Sequence, residues 1–194
     1  MIGPFDGDNN ATLLAPEERN GLIPTHVTRC SELNELEQKN IAEADRWAFR
    51  RKRDVFDEAF LKGLHRRMFK RVWRWAGQYR TTERNLGIAP FGIEPELRQS
   101  LDDGRYWLEH ESYPPEELAV RFHHRLVAIH PFPNGNGRWS RLATDLLIVR
   151  QGAPRFSWGR ANLQIAGDVR RAYIDALKAA DNHDFGPLIT FARL

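Results

Sequence analysis

The residues of this chain that could do chemistry gather in one stretch of nine, His130-Pro-Phe-Pro-Asn134-Gly135-Asn136-Gly137-Arg138, with Arg141 three positions on. Gly135 and Gly137 around an asparagine permit unusual backbone angles and a close approach of a ligand. If a helix begins at Asn136, its free N–H groups and the positive end of its dipole point at that same place. Together these features make a nest for an anion. A cation in a first helical turn opposes the dipole, so Arg138 and Arg141 there imply an anionic ligand that offsets the cost. His130 enters from the other side and has the ordinary pKa for proton transfer near neutrality. A phosphate cradle facing a general base points to phosphoryl or nucleotidyl transfer. The chain has no Gly-x-x-x-x-Gly-Lys-Ser/Thr loop and no kinase signature, which excludes the common ATP-using designs.

The flanking elements must hold this stretch in place. Pro114-Pro115-Glu116-Glu117 is a strong helix start, and Leu118, Phe122, Leu126 and Ile129 follow at helical spacing until Pro131 and Pro133 stop the run. The next helix starts near Asn136 and carries Leu142, Leu146 and Val149 to Gly152. Upstream, Ser31 can cap a helix bearing Leu33, Leu36, Ala44 and Trp47. A second helix bears Leu61, Leu64, Met68 and Val72 and runs into Trp73-Arg74-Trp75-Ala76-Gly77. Gly87, Pro90, Gly92 and Pro95 break the pattern, and Asn85-Leu86-Gly87-Ile88 suggests a short hairpin. Leu97, Leu101 and Leu108 restore helical spacing, and after a loop from Pro154 to Gly167 so do Val169, Tyr173, Leu177 and Ala180; Pro187 to Ala192 is a short last helix. Pro16-Glu17-Glu18-Arg19 suits one helical turn ended by Gly21. The expected fold is an all-α bundle with a small β-hairpin, residues 31–194 forming a single domain behind an N-terminal segment of residues 1–30.

Composition narrows the class. The chain has 194 residues and a net charge of only +3, too small by itself to demand a polyanionic partner. Cys30 is the sole cysteine, so neither an internal disulfide nor a cysteine-based zinc site can form, and a reducing, cytoplasmic setting is expected. No apolar run approaches the length of a membrane span. His65, His123, His124 and His130 invite a metal reading, yet no acidic residue or cysteine stands at ligand spacing, so they read as packing groups or supports of the loop. Trp47, Trp73, Trp75 and Trp107 read as core, and the basic runs Arg50-Arg51-Lys52-Arg53 and Lys70-Arg71 as solvated faces. No recognition-helix pattern accompanies the basic charge, so nucleic acid is not expected as a partner.

The stretch from His130 to Arg138 resembles the signature of the Fic (filamentation induced by cAMP) family, His-Pro-Phe-x-Asp/Glu-Gly-Asn-Gly-Arg, departing only at Asn134, and Arg141 also fits. Trp75-Ala-Gly-Gln-Tyr-Arg80 resembles the Trp-Ala-Gly-x-x-Arg element that precedes the family's β-hairpin flap. Gly21-Leu-Ile-Pro-Thr25, His65-Arg-Arg-Met-Phe69 and Trp158-Gly-Arg160 further resemble the subgroup called mobile mystery protein B, carried on mobile elements beside a helix-turn-helix partner protein.

The resemblance implies a helical Fic fold that moves AMP from ATP to a Tyr, Thr or Ser hydroxyl of a target protein. It makes His130 the base, gives the phosphates to the backbone of Gly135, Asn136 and Gly137, and gives the outer phosphates to Arg138 and Arg141. Phe132 would anchor the loop. Gly137 stands where the phosphotransferase branch carries lysine, which favours AMP transfer. The flap residues Thr82, Asn85, Leu86, Gly87 and Ile88 would align the target backbone by strand addition. Asn134 replaces the acidic residue that holds Mg²⁺, so a metal (Mg²⁺ or Mn²⁺) would be weakly held. Many relatives carry an inhibitory glutamate that pairs with the second motif arginine; Glu17 and Glu18 are the candidates here. The alternatives are transfer of another nucleotidyl or phosphoryl group, and a catalytically silent nucleotide-binding regulatory module.

Overall fold

The structure, a computed structural model, describes residues 19–160, 163 and 167–194, and along them the chain is built of helices. They are α1 (Cys30–Phe49), α2 (Glu58–Phe69), α3 (Ile93–Glu109), α4 (Pro115–Ile129), α5 (Asn136–Arg150), α6 (Asp168–Asp181) and α7 (Gly186–Arg193), with short 3₁₀ turns at Pro90–Gly92 and Trp158–Arg160. None of the described helices is long and apolar enough to cross a membrane.

Local chemistry sets the helix ends. The Asp57 side chain accepts the Ala59 N–H at 2.9 Å and caps α2. Pro115 opens α4, where its missing N–H costs nothing. Ser31, expected as the cap of α1, lies inside that helix instead. The Glu32 carboxylate reaches back and accepts from the N–H groups of Thr28 and Arg29 at 3.0 and 3.2 Å, because a carboxylate satisfies two free donors where a hydroxyl would satisfy one.

α5 is the centre of the bundle. Its residues from Leu142 to Ile148 are all buried, so it is surrounded rather than amphipathic. α4 packs along it, α1 and α2 touch it from another side, and α7 packs on both α4 and α6. Val149, expected on the buried face, is 39% exposed because the helix is leaving the bundle there. Val72, expected to extend α2, is buried in the turn beyond it. Its carbonyl accepts from Ile23 at 2.8 Å while Arg74 N–H donates to Gly21 at 2.9 Å, which forms an isolated bridge between Leu22 and Trp73.

The expected hairpin over 82–88 is absent: among the described residues no strand ladder forms. Both arms of this segment bond to one guanidinium lying between them rather than to each other, as detailed below.

Gly104 on α3 shows how tightly the bundle is filled. A β-carbon there would lie 2.5 Å from Cε1 of Phe56, a buried ring packed edge-on against Phe122 at 5.2 Å. Replacing a helical glycine by alanine ordinarily stabilises by up to ~1 kcal/mol, whereas overpacking costs ~1–3 kcal/mol. Gly104→Ala is therefore expected to destabilise the protein by a net ~1–2 kcal/mol in urea unfolding. A stabilised variant would show that the Phe56 ring yields freely.

Candidate active site

His130 ends α4 in the left-handed conformation, φ 52° and ψ 60°. A non-glycine residue pays ~1–2 kcal/mol for that geometry, so something must hold it. Arg80 does. Its buried guanidinium donates from Nε to the His130 carbonyl at 2.7 Å, from Nη1 to the Thr82 carbonyl at 3.1 Å, and from Nη2 to the carbonyl of Ile88. Gly87 is pressed against the same spot, since a β-carbon there would meet Cβ of His130 at 2.5 Å. The His130 ring is 6% exposed and donates to the Val127 carbonyl. Burial, then the charges of Arg80 and Arg84, push it down to about 4, so the imidazole is neutral near pH 7.

The floor of the loop is aromatic. Phe132 is fully buried and stacks on His65 with ring centres 3.7 Å apart. His65 Nδ1 accepts the Gly77 N–H at 2.9 Å, so its proton sits on Nε2, which donates to the Asn134 carbonyl at 3.0 Å. The Asn136 side chain staples the loop across its neck, accepting from Phe132 N–H at 2.9 Å and donating to the Phe132 carbonyl at 2.7 Å. That leaves the backbone N–H groups of Asn136, Gly137 and Arg138 at the start of α5 without intrahelical acceptors. Gly135 takes φ 79° with Phe69 directly beneath it, where a β-carbon would lie 2.4 Å from the ring.

The two arginines are held differently. Arg138 forms a buried ion pair with Glu37 of α1 at 2.6 Å, and Glu37 also accepts the Trp73 indole N–H at 2.6 Å. Arg141 makes no ion pair among the described residues. Its guanidinium lies 3.5 Å from where a Gly137 β-carbon would be and 5.8 Å from the centre of the Tyr173 ring. Tyr173 in turn donates to His123 Nε2 at 2.8 Å, and His123 Nδ1 faces the Thr144 hydroxyl at 3.3 Å. Burial pushes both His65 and His123 down to about 3.

The residues singled out from the sequence thus fall into three groups. His130, Gly135, Asn136, Gly137, Arg138 and Arg141 come together around the start of α5. Thr82, Asn85, Leu86, Gly87 and Ile88 lie beside His130 as an irregular loop, with Leu86 48% exposed and Ile88 N–H reaching the Ile129 carbonyl at 3.4 Å. Glu17 and Glu18 lie outside the described residues. The donors present do not fit a divalent cation held by the protein. The Asn134 side-chain oxygen is taken by the Gly135 N–H, and among the described residues no group of three acidic, histidine or cysteine side chains stands close enough to ligate one. Sequence reasoning missed Glu37 and Tyr173. Glu37 did leave a signal, a carboxylate on the buried stripe of α1 between Leu33 and Ala44.

The buried imidazoles make stability depend on pH. In the unfolded chain each histidine takes up a proton near 6.5, but His65, His123 and His130 in the folded chain do not until about 3, 3 and 4. Their contribution is complete above pH 6.5 and is lost as pH falls below it. Asp145, pushed up to about 6 by burial, works the other way over the same range. Three protons less one leaves two, so unfolding free energy is expected to fall by about 3 kcal/mol per pH unit between pH 6 and 4. Urea titrations at pH 7, 6 and 5 measure this, and a slope below about 1 kcal/mol per unit would mean that the folded core accepts the protons.

A family model described as Fic/DOC family matches residues 55–148. Protein adenylyltransferase fic-1 of Caenorhabditis briggsae is 32% identical over 123 residues, covering 60% of this chain and 22% of that protein. Protein adenylyltransferase Fic of Culex quinquefasciatus is 32% identical over 146 residues, covering 72% of this chain and 27% of its own. The chain thus spans about a quarter of the length of the curated relatives it matches. Among solved structures, the N-terminal Fic domain of a Bartonella quintana effector superposes with a TM-score of 0.70 at 17% identity, over 91% of each chain. The Bartonella tribocorum BepC protein with bound AMPPNP does so with a TM-score of 0.65 at 19% identity, over 92% of this chain and 97% of that one. Helical architecture, loop geometry and family model coincide on the same segment, and the chain belongs to the Fic/DOC family.

Proposed function

We propose that this chain transfers AMP from ATP to a hydroxyl side chain (Tyr, Thr or Ser) of a target protein. The observation that carries this reading is a neutral, immobilised His130 beside a helix start whose free N–H groups and paired arginines suit a polyphosphate. The relatives named protein adenylyltransferase and the AMPPNP-bound BepC neighbour support it. In the reaction the target oxygen attacks the α-phosphorus and the bond from that phosphorus to the bridging oxygen breaks. Pyrophosphate leaves, and the hydroxyl proton passes to His130. The N–H groups of Asn136, Gly137 and Arg138 take the phosphate oxygens, and Arg141 takes an outer phosphate. The irregular loop around Gly87 presents the target, with Leu86 as its exposed apolar contact. The subgroup motifs support a helix-turn-helix protein as a companion and a cytoplasmic, mobile-element, toxin-like setting.

ATP labelled at either the α- or the γ-phosphate, incubated with cell lysate, separates the readings. Label from α alone is expected, label from γ alone would mean phosphorylation, and none would favour a silent nucleotide-binding module. His130→Ala should abolish transfer with nucleotide binding retained, since a general base contributes ~10²–10⁴-fold. Because His130 titrates low in the free protein, kcat/KM should hold down to about pH 5, while the kcat profile turns off at a higher pH. The bound polyphosphate favours the imidazolium there and raises its pKa. Coincident acid limbs would remove His130 as the base.

The ion pairs yield a second expectation. Glu37 already occupies Arg138, whereas Arg141 makes no ion pair among the described residues. Arg141→Ala should therefore weaken ATP binding more than Arg138→Ala does. Glu37→Gln, which keeps the Trp73 contact, should strengthen ATP binding by roughly tenfold with little change for AMP. Calorimetry with both nucleotides checks this, and an equal effect on both would place Arg138 away from the outer phosphates.

A further inference from the structure

The basic runs that read as separate solvated faces in the sequence converge in space. α1 and α2 enclose a cleft of about 260 Å³ lined by Arg46, Arg50, Arg67, Lys70 and Arg71, with Trp47 at its wall. Glu43 is the one carboxylate in the lining, and Arg71 holds it at 3.0 Å. Arg46, Arg50, Arg67 and Lys70 make no ion pair among the described residues. Like charges brought together in a concavity raise each other's energy unless an anion enters. The C-terminal dipoles of α1 and α2 favour cations at Arg46, Arg50, Arg67 and Lys70, but they do not require both sets to face one cleft.

The arrangement also has a direction. Arg46 on α1 stands one turn from Arg50, the residue that caps its C-terminus, and Arg67 on α2 stands one turn from Lys70 and Arg71 just past the end of that helix. Two short rows, each repeating a positive charge every turn, suit a repeating polyanion better than one compact anion. The guanidinium groups of Arg67 and Arg53 lie 4.0 and 4.4 Å from the Trp47 ring centre, and Phe60 stacks on the same indole at 6.0 Å. A guanidinium held flat on indole offers its other face to a nucleobase. A recessed cleft admits a single strand, whereas a duplex would span its rim.

We infer that this cleft binds single-stranded nucleic acid through its phosphodiester backbone, with a base stacked at the Trp47 and Arg67 platform. This goes beyond the transferase reading and does not depend on it. The cleft runs along α1 from Asn40, one turn beyond Glu37, to Arg50, with Trp47 ten residues and about 15 Å along the helix from Glu37.

The test uses the full chain and fluorescein-labelled 12-nucleotide oligo(dT) and oligo(U), read by anisotropy. Neutralising about four phosphates of a single strand gives a salt slope near −2.8, so affinity should fall roughly 50-fold between 50 and 200 mM NaCl. The triple variant R46Q/R50Q/K70Q should lose most of the binding and about three-quarters of the slope while keeping the wild-type melting temperature. Should it fail to fold, the exposed Lys70→Gln alone should lower the slope by about 0.7. Absence of binding, preference for a 12-base-pair duplex, equal displacement by poly-glutamate, displacement by 1 mM ATP, or an unchanged slope in the variants would each overturn the inference. The poly-glutamate result would assign the cleft to an acidic protein surface, and the ATP result would move the strand to the catalytic loop.

Discussion

Arg80 is a buried cation whose guanidinium donates to the carbonyl oxygens of His130, Thr82 and Ile88. Burying a guanidinium is costly unless its donors are met, so this residue forces three stretches of chain to converge on its plane. One is the end of α4, which thereby accepts a left-handed histidine. The other two are the arms of the loop that precedes α3, which bond to the guanidinium instead of to each other. The same fork therefore holds His130 and shapes the loop that passes over it. Its charge also helps to keep the imidazole neutral, which a base must be before it can accept a proton.

The remainder of the site is attached to the core by contacts that leave little room to relax. His65 links the Gly77 turn to the Asn134 carbonyl through a single tautomer, and its ring is clamped between Phe69 and Phe132. Phe69 fills the space under Gly135, and Trp139 donates to the Leu61 carbonyl at 3.0 Å, which ties α5 to α2. A phosphate-binding loop gains from such rigidity, because groups already aimed at the ligand lose little entropy on binding. The glycine at 135 is thus dictated from two sides, by its backbone angle and by the ring beneath it.

Local chemistry was legible in the sequence where a signal repeats or punctuates. Apolar spacing and the prolines at 115, 131 and 133 located the helices around the loop, and the run from His130 to Arg138 marked the loop between them. What escaped depends on partners far away along the chain. The Glu37 to Arg138 pair spans 101 residues, and the His123 to Tyr173 contact spans 50. No periodicity encodes such meetings. The hairpin failed for a related reason. Asn85-Leu86-Gly87-Ile88 has turn chemistry, but a ladder needs cross-strand partners, and Arg80 takes the carbonyls that would have supplied them.

The contrast between the two arginines follows from where their partners sit. Glu37 comes from α1, outside the segment from residue 55 to 148 that matches the family model, whereas Arg138 and Arg141 lie inside it. Arg141 reaches Tyr173 on α6, also outside that segment. The loop and His130 thus lie within the segment that matches the family model, and the partner of each arginine comes from a helix on either side of it. A buried carboxylate at 2.6 Å satisfies Arg138 before any ligand arrives, so a phosphate must compete with it. Arg141 makes no ion pair among the described residues, and its charge is offset only by the more distant Asp145 carboxylate. Two cations one helical turn apart are thereby held differently: Arg138 braces α1 against the loop, and Arg141 keeps its charge without an ion pair among the described residues.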